Sequence, residues 1–167
     1  MYELERQMTP GRVLVIDASG EKYGAAVGGF MAATFKARGC IGLVVNGAVR
    51  DGLELIDLGL PAFVRFHTPA NSARRWELAS VGAPISMPGL GGAAVAVRPG
   101  DFVLGDFDGV MVIPGEHAPQ LIEDAERLQE IERVIREQIK AGATREEAFA
   151  RNPRFAHIRR IEPAGPC

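Results

Sequence analysis

The sequence predicts an α/β domain that opens on parallel βαβ units and closes on a helical extension. Three observations carry this. Val13-Leu14-Val15-Ile16-Asp17 and Ile41-Gly42-Leu43-Val44-Val45 are continuous apolar runs of strand length with a helical pattern between them, as expected of strands covered on both faces. Alternating short runs follow near residues 93–113, which read as antiparallel strands. After Pro114-Gly115 the chain turns into a long charged segment with one apolar stripe.

In chain order, residues 2 to 8 read as a short helix that Thr9-Pro10-Gly11 stops. The first strand runs to Asp17, and Ala18-Ser19-Gly20 is expected to turn the chain. From Gly28 to Ala37, Phe30, Met31, Ala33, Thr34 and Ala37 recur at helical spacing, with Arg38-Gly39 as the stop. The second strand leads to Arg50, where a helix to Leu58 is expected with Leu53, Ile56 and Leu60 inward. Pro61 marks the switch to a strand over Ala62 to Phe66.

Residues 68–92 gather Pro, Ser and Gly and read as an excursion with short strands around Val81 and Ile85. The runs 93–97 and 102–105 are expected to pair about Pro99-Gly100-Asp101, and Asp106-Phe107-Asp108-Gly109 to form a second tight turn. Together they predict a mixed or antiparallel sheet packed on the first half. Leu121, Ala125, Leu128, Ile131, Ile135 and Ile139 stripe the long helix to Gly142, and Thr144-Arg145-Glu146-Glu147 is a capping box for a shorter one. An uncovered stripe favours a homo-oligomer, and the basic run 151–160 is expected to be a solvated end. The division expected is a core over 1–115 and a helical extension with tail over 116–167.

Composition excludes several classes. A formal charge of −2 over 167 residues gives no global field toward nucleic acid or a membrane surface. Cys40 and Cys167 form neither a disulfide framework nor a clustered metal site. An acidic, periodic start is not the basic-then-apolar pattern expected of a secretory signal, and no run reaches the roughly 20 apolar residues of a membrane span. A cytoplasmic protein is expected.

The residues with chemistry gather in two stretches. Gly28-Gly29-Phe30-Met31 opens a helix, so its free amides can face an anion, or the two glycines make a simple turn. Arg50 is either a surface residue at a helix start or a guanidinium placed to grip a carboxylate, against the preference of a helix N-terminus for negative charge. Asp51 is either a helix cap or a hard oxygen ligand for Mg²⁺ or Mn²⁺. Glu54 lies one turn on, either as an exposed carboxylate or as a partner for a proton or metal-bound water. Asp106 and Asp108 read as a hairpin turn, and His67, His117 and His157 as structural. No dinucleotide fingerprint or P-loop is present.

Pro10-Gly11-Arg12-Val13-Leu14-Val15-Ile16-Asp17, Phe30-Met31-Ala32-Ala33-Thr34, Gly42-Leu43-Val44-Val45-Asn46-Gly47-Ala48-Val49-Arg50-Asp51 and Asp106-Phe107-Asp108-Gly109-Val110 carry a resemblance. Over residues 10–142 the chain resembles the RraA-like proteins and their relatives, the 4-hydroxy-4-methyl-2-oxoglutarate/4-carboxy-4-hydroxy-2-oxoadipate aldolases. The resemblance implies a swivelling β/β/α-type fold, N-terminally shortened here, in trimers or hexamers with sites at subunit interfaces. It also implies a small 2-oxo acid substrate, cleaved by retro-aldol chemistry to pyruvate or, for oxaloacetate, decarboxylated. The implied roles are Asp51 for a divalent cation, Arg50 for the enolate oxygen, and the backbone of Gly28 to Met31 for the substrate carboxylate. Glu54 is implied as a partner of the cation's water, and Glu132 of the adjacent subunit completes the shell. Relatives of the ring-cleavage branch carry Asp where this chain has Gly29, a departure that bears on retro-aldol cleavage more than on decarboxylation. The second function that the resemblance implies is a non-enzymatic regulator binding a ribonuclease or RNA helicase.

Overall fold

A computed structural model describes residues 2–72 and 77–161, so Cys167 lies outside the described residues. The chain divides after Val112 into two compact units. In the first, β1 (Val13–Val27), β2 (Gly42–Val49) and β3 (Ala62–His67) form a parallel sheet in the order β1-β2-β3. α1 (Tyr2–Gln7) precedes it, while α2 (Gly29–Ala37) and α3 (Gly52–Asp57) make the two crossovers. These are the expected βαβ units, because parallel neighbours cannot be joined by a tight turn.

The helices cover a core in which Val27, Phe35, Cys40, Leu43, Val45 and Val49 are completely or almost completely buried. Cys40 is a free thiol whose Sγ donates to the Gly42 carbonyl at 3.2 Å. Burying a ring the size of Phe35 contributes on the order of 2–3 kcal/mol.

The expected turn at Ala18-Ser19-Gly20 is a bulge inside one long strand. β1 pairs in register from Val13↔Gly42 to Asp17↔Asn46, then slips, so that it advances from Asp17 to Val27 while β2 advances only from Asn46 to Val49. Ser19 (φ 53°) and Gly20 (φ 72°) take left-handed conformations that throw the excess chain outward. Asp17 anchors the bulge, its carboxylate accepting from the Ser19 N–H at 2.8 Å and from the amide of buried Asn46 at 2.6 Å. Arg65 on β3 donates to the Asn46 side-chain oxygen at 3.1 Å, so one polar row crosses all three strands. Gly47 is required opposite the bulge, since a Cβ there would stand 2.8 Å from the Ala18 Cβ.

α3 corrects a second expectation. It starts at Gly52, not at Arg50, and Leu55 and Leu60 are buried while Leu53 and Ile56 are largely exposed. Within α3 only Leu55 is buried, and Leu60 joins the core from the turn after the helix.

The antiparallel elements pair differently from the sequence expectation. β4 (Ile85–Pro88) pairs with β5 (Ala94–Val97) in register from Ile85↔Val97 to Pro88↔Ala94, across a 3₁₀ turn at Leu90–Gly92. β6 (Phe102–Asp106) pairs with β7 (Gly109–Ile113) about the expected Phe107-Asp108 hairpin, with Asp106 accepting from the Asp108 N–H at 2.8 Å. The turn at Pro99-Gly100-Asp101 forms, with Gly100 at φ 97°, yet it separates β5 from β6. The result is two two-stranded ladders in place of one larger sheet. Val81 lies in a bend, and only the strand at Ile85 forms.

The second unit holds α4 (Ala118–Lys140) and α5 (Arg145–Arg151), joined through Gly142 at φ 98°. The capping box at α5 is present, with the Thr144 hydroxyl accepting from the Glu147 N–H at 3.2 Å and Glu147 accepting from the Thr144 N–H at 2.9 Å. Along the stripe Ile135 is buried and Leu121, Leu128 and Ile131 are half-buried, whereas Ala125 and Ile139 are exposed. The basic end is not free in solvent. Arg154 pairs with Glu132 at 2.6 Å, and Arg159 with Glu123 at 2.7 Å and Asp124 at 3.2 Å. The His157 ring bonds the Asp124 carbonyl through Nε2 at 2.9 Å. The charge run is drawn back because α4 presents carboxylates along the face it meets.

Candidate functional site

The bulge in β1 builds the site. Because β1 rejoins β2 at Val27↔Val49, the residues that follow each strand, Gly28-Gly29 and Arg50-Asp51, emerge side by side, and the Val27 carbonyl accepts from the Arg50 N–H at 3.0 Å. This is the carboxyl edge of a parallel sheet, where α/β proteins place ligands. All the residues expected around the turn are therefore together, although the whole of α2 and β2 separates Gly28-Gly29 from Arg50-Asp51 in sequence.

Gly28 stands at the N-terminal cap of α2 with extended backbone and no side-chain cap, which leaves the first-turn amides to acceptors from elsewhere. One acceptor is already present: the Asp51 Oδ2 takes the Gly29 N–H at 3.0 Å. The same oxygen accepts from the Arg50 Nη1 at 2.7 Å. Both side chains are about one third exposed, so the pair adds no more to stability than a surface ion pair, at most about 1 kcal/mol. Asp51 is held left-handed, at φ 59° and ψ 41°, a conformation that costs an L-residue roughly 1–2 kcal/mol. That geometry turns its carboxylate back toward α2 and away from α3, which it precedes without capping.

The two glycines are there for space. A Cβ on Gly28 would lie 2.8 Å from the Arg50 guanidinium carbon, and one on Gly29 would lie 1.8 Å from the Glu54 Oε2. Arg50 and Glu54 thus lie across the bare backbone of the turn, one on each glycine. The Glu54 carboxylate fills the volume that a side chain at position 29 would need. Phe30 projects almost fully into solvent, and Met31 is half-buried against the core.

Glu132 lies in the second unit, where its carboxylate is bound by Arg154 at 2.6 Å and faces Arg136 at 3.6 Å. His67, set aside from the sequence as structural, ends β3 beside this edge, with its Cε1 3.2 Å from where a Gly52 Cβ would stand. Its signal was position alone, the last residue of the strand next to β2. An open apolar groove of about 710 Å³ runs along α3 and β3 and is bounded by Gly52, Leu53, Ile56 and His67.

The donor set fits a hard divalent cation in part. Among the described residues no three His, Cys, Asp or Glu side chains stand together as a metal cage. Asp51 makes its contacts to Gly29 and Arg50 through Oδ2, and Glu54 brings a second carboxylate to the same turn. One or two carboxylates, with water and substrate in the other positions, is the way Mg²⁺ is commonly held.

The fold belongs to a known class. The chain belongs to the RraA-like family, whose aldolase/RraA model matches residues 1–112. It is 38 % identical over 129 residues to a relative from Halalkalibacterium halodurans that bears, as a provisional assignment, the name 4-hydroxy-4-methyl-2-oxoglutarate aldolase, covering 77 % of this chain and 57 % of that protein. It is 36 % identical over 104 residues to a 4-hydroxy-4-methyl-2-oxoglutarate aldolase of Thermus thermophilus, covering 62 % of this chain and 60 % of that one. Among solved structures, an uncharacterized protein of Pseudomonas syringae pv. tomato superposes with a TM-score of 0.82 at 28 % identity, covering 89 % of this chain and 68 % of that one. The RNA-processing inhibitor RraA from Thermus thermophilus superposes at 0.58 with 34 % identity, covering 67 % and 65 %. The chain thus spans about three fifths of the length of these curated relatives. No helix among the described residues is long and apolar enough to cross a membrane.

Proposed function

We propose that the chain is a divalent-cation-dependent carbon–carbon lyase acting on small 2-oxo acids, by oxaloacetate decarboxylation or retro-aldol cleavage of a 4-hydroxy-2-oxo diacid such as 4-hydroxy-4-methyl-2-oxoglutarate. The observation that carries the reading is the Arg50-Asp51 pair held on the open N-terminus of α2. A cation such as Mg²⁺ or Mn²⁺, held by Asp51 with Glu54 on its water, would draw charge from the 2-oxo group. The chain's own part is to hold and stabilise. First-turn amides of α2 grip the substrate carboxylate, and the Arg50 guanidinium stabilises the oxygen that becomes an enolate.

In decarboxylation the bond to the terminal carboxylate breaks, carbon dioxide leaves, and the electron pair stays in the pyruvate enolate. In retro-aldol cleavage the 4-hydroxyl loses its proton, the C3–C4 bond breaks, and a second oxo acid leaves. Both routes end with a proton delivered to the enolate carbon. Glu54, lying against Gly29, is the carboxylate of this chain placed to handle such a proton through water. The Arg154 pairing of Glu132 competes with the role expected for it in an adjacent subunit, so the reading rests on Asp51 and Glu54. Assembly as a homotrimer or hexamer is proposed with it, and light scattering of the purified protein tests it.

The test is pyruvate release from oxaloacetate and from 4-hydroxy-4-methyl-2-oxoglutarate, with Mg²⁺, with chelator, and in Arg50→Ala. Chelation should abolish turnover, and Arg50→Ala should lower kcat/KM by at least about 10²-fold, the scale of a lost oxyanion donor. Equal rates in all three would exclude the lyase. The second reading, a regulator of RNA processing, is favoured by the likeness to the Thermus thermophilus inhibitor. Binding of a ribonuclease or helicase by a chain that releases no pyruvate would support it.

A further inference from the structure

The two donors best placed to receive a substrate carboxylate are already taken by the chain itself. Asp51 Oδ2 accepts from the Gly29 N–H at 3.0 Å and from the Arg50 Nη1 at 2.7 Å. A carboxylate oxygen between a helix-end amide and a guanidinium has the geometry in which either donor would hold an incoming carboxylate. We propose that Asp51 is an internal stand-in for the substrate carboxylate, which blocks the anion seat until the Asp51 charge is taken up by a divalent cation.

The inference rests on the lyase reading for its ligand and deepens it into a rule of binding order. Three features of the turn support it. Asp51 is kept left-handed at φ 59° although its side chain does not cap α3, so the strained backbone is matched by the two contacts its carboxylate makes across to α2 and Arg50. The turn carries two carboxylates, Asp51 bonded to Arg50 and Glu54 against Gly29, beside the one guanidinium of Arg50, so an incoming anion is opposed by a second negative charge. Arg50 lies over the bare backbone of Gly28 and commits its Nη1 to Asp51 at 2.7 Å, so that donor reaches an incoming anion only when Asp51 lets it go. His67 is the further titratable group at this edge, packed against Gly52.

A cation on the Asp51 carboxylate draws on the same charge that holds Arg50 and the Gly29 amide. The loosened donors are then free for the anion. Cation and anion bind with positive coupling, each raising the affinity for the other.

The experiment uses the whole chain and oxalate, a planar dicarboxylate of the shape and charge of a 2-oxo acid enolate, titrated by calorimetry. The decisive arm contains chelator and no cation, so direct pairing of oxalate with Mg²⁺ plays no part. There, Asp51→Ala and Asp51→Asn should bind oxalate at least about tenfold more tightly than the unmodified chain, within the usual range of coupling between two sites. Asp51→Asn keeps a residue that tolerates the left-handed conformation, which guards against a folding artefact in the alanine variant. Glu54→Gln is the charge control: it removes one negative charge at the same turn without freeing Arg50 or Gly29, and should gain less than about threefold. The double variant Arg50→Ala/Asp51→Ala should lose the gain. The Gly29 amide, followed by ¹H–¹⁵N NMR, should shift on oxalate addition to Asp51→Asn and stay in place in the unmodified chain without cation.

Oxalate affinity in Asp51→Ala and Asp51→Asn equal to that of the unmodified chain would overturn the proposal. So would a gain in Glu54→Gln as large as in Asp51→Ala. Failure of the lyase reading is separable, because a chain that releases no pyruvate can still show the cation-free gain in the Asp51 variants.

Discussion

Gly29→Ala separates the fold from the site. The added Cβ would lie 1.8 Å from the Glu54 Oε2 and 2.7 Å from its Cδ, while its third neighbour, the Asp51 Cβ, stands at an ordinary 3.4 Å. Only the far end of one exposed, flexible side chain has to move. The fold loses nothing else, and alanine gains over glycine up to about 1 kcal/mol in a helix, less at a first position such as this. For a chain of this size that corresponds to a Tm unchanged or raised by up to roughly 2–4 °C. The 29 N–H survives, so the Asp51 contact persists while Glu54 is pushed off the turn. Pyruvate release from oxaloacetate should then fall by about 10–100-fold, the range for losing a group that orients a metal's partners. Glu54→Gln should lose about as much, and the double variant should be no worse than either, because both remove one interaction. The assay pairs thermal unfolding with coupled detection of pyruvate. A fall in Tm, full activity in Gly29→Ala beside a defective Glu54→Gln, or losses that multiply would each refute the reasoning.

Other positions give independent checks. Gly39→Ala forces a side chain at φ 86° and sets its Cβ 2.7 Å from the Pro10 Cα, which is backbone and cannot swing away. It should destabilise by about 2–3 kcal/mol in urea unfolding, whereas Gly59→Ala, at φ 59° with open space around it, should cost only the roughly 1–2 kcal/mol of the left-handed conformation. In the second unit, burial pushes the Asp124 carboxyl upward, but the Arg159 N–H and guanidinium and the Gln120 side chain outweigh it and leave its pKa lowered. A lowered pKa in the folded state stabilises fully above the ordinary Asp value of about 3.9, and the effect fades as pH falls through the lower folded value. The Asp124 contacts to the segment 152–161 should therefore hold at every pH above about 4 and be lost in stronger acid. Hydrogen exchange at the Arg159 amide measures this, and equal protection in Asp124→Asn at neutral pH would contradict it.

Much of the site was legible because its parts sit where the pattern changes. Gly28-Gly29 falls where an apolar stretch gives way to a helical period, and Arg50-Asp51 where a continuous apolar strand ends. Helix existence followed in the same way, since burial period and capping chemistry are local: α2, α4 and the Thr144–Glu147 box lie where their residues place them. The readings that failed turned on which partner each segment meets, something a local pattern does not fix. β5 and β6 alternate and flank a good turn, yet β5 joins β4 and β6 joins β7. The basic end looked solvated because its carboxylate partners lie 22 to 36 positions earlier, on α4.

The sequence by itself determined the βαβ order, the two stretches that carry charge and bare backbone, and the membership of the RraA-like family that they signal. Local propensity and burial period settle those features without reference to the rest of the chain. Tertiary structure alone decided how Gly29 and Asp51 meet. The bulge at Ser19-Gly20, held by Asp17 and Asn46, absorbs the extra residues of β1 and brings its end level with that of β2. Only then can a left-handed Asp51 reach the Gly29 amide and Arg50, and only then does Glu54 lie in the space that a glycine leaves open.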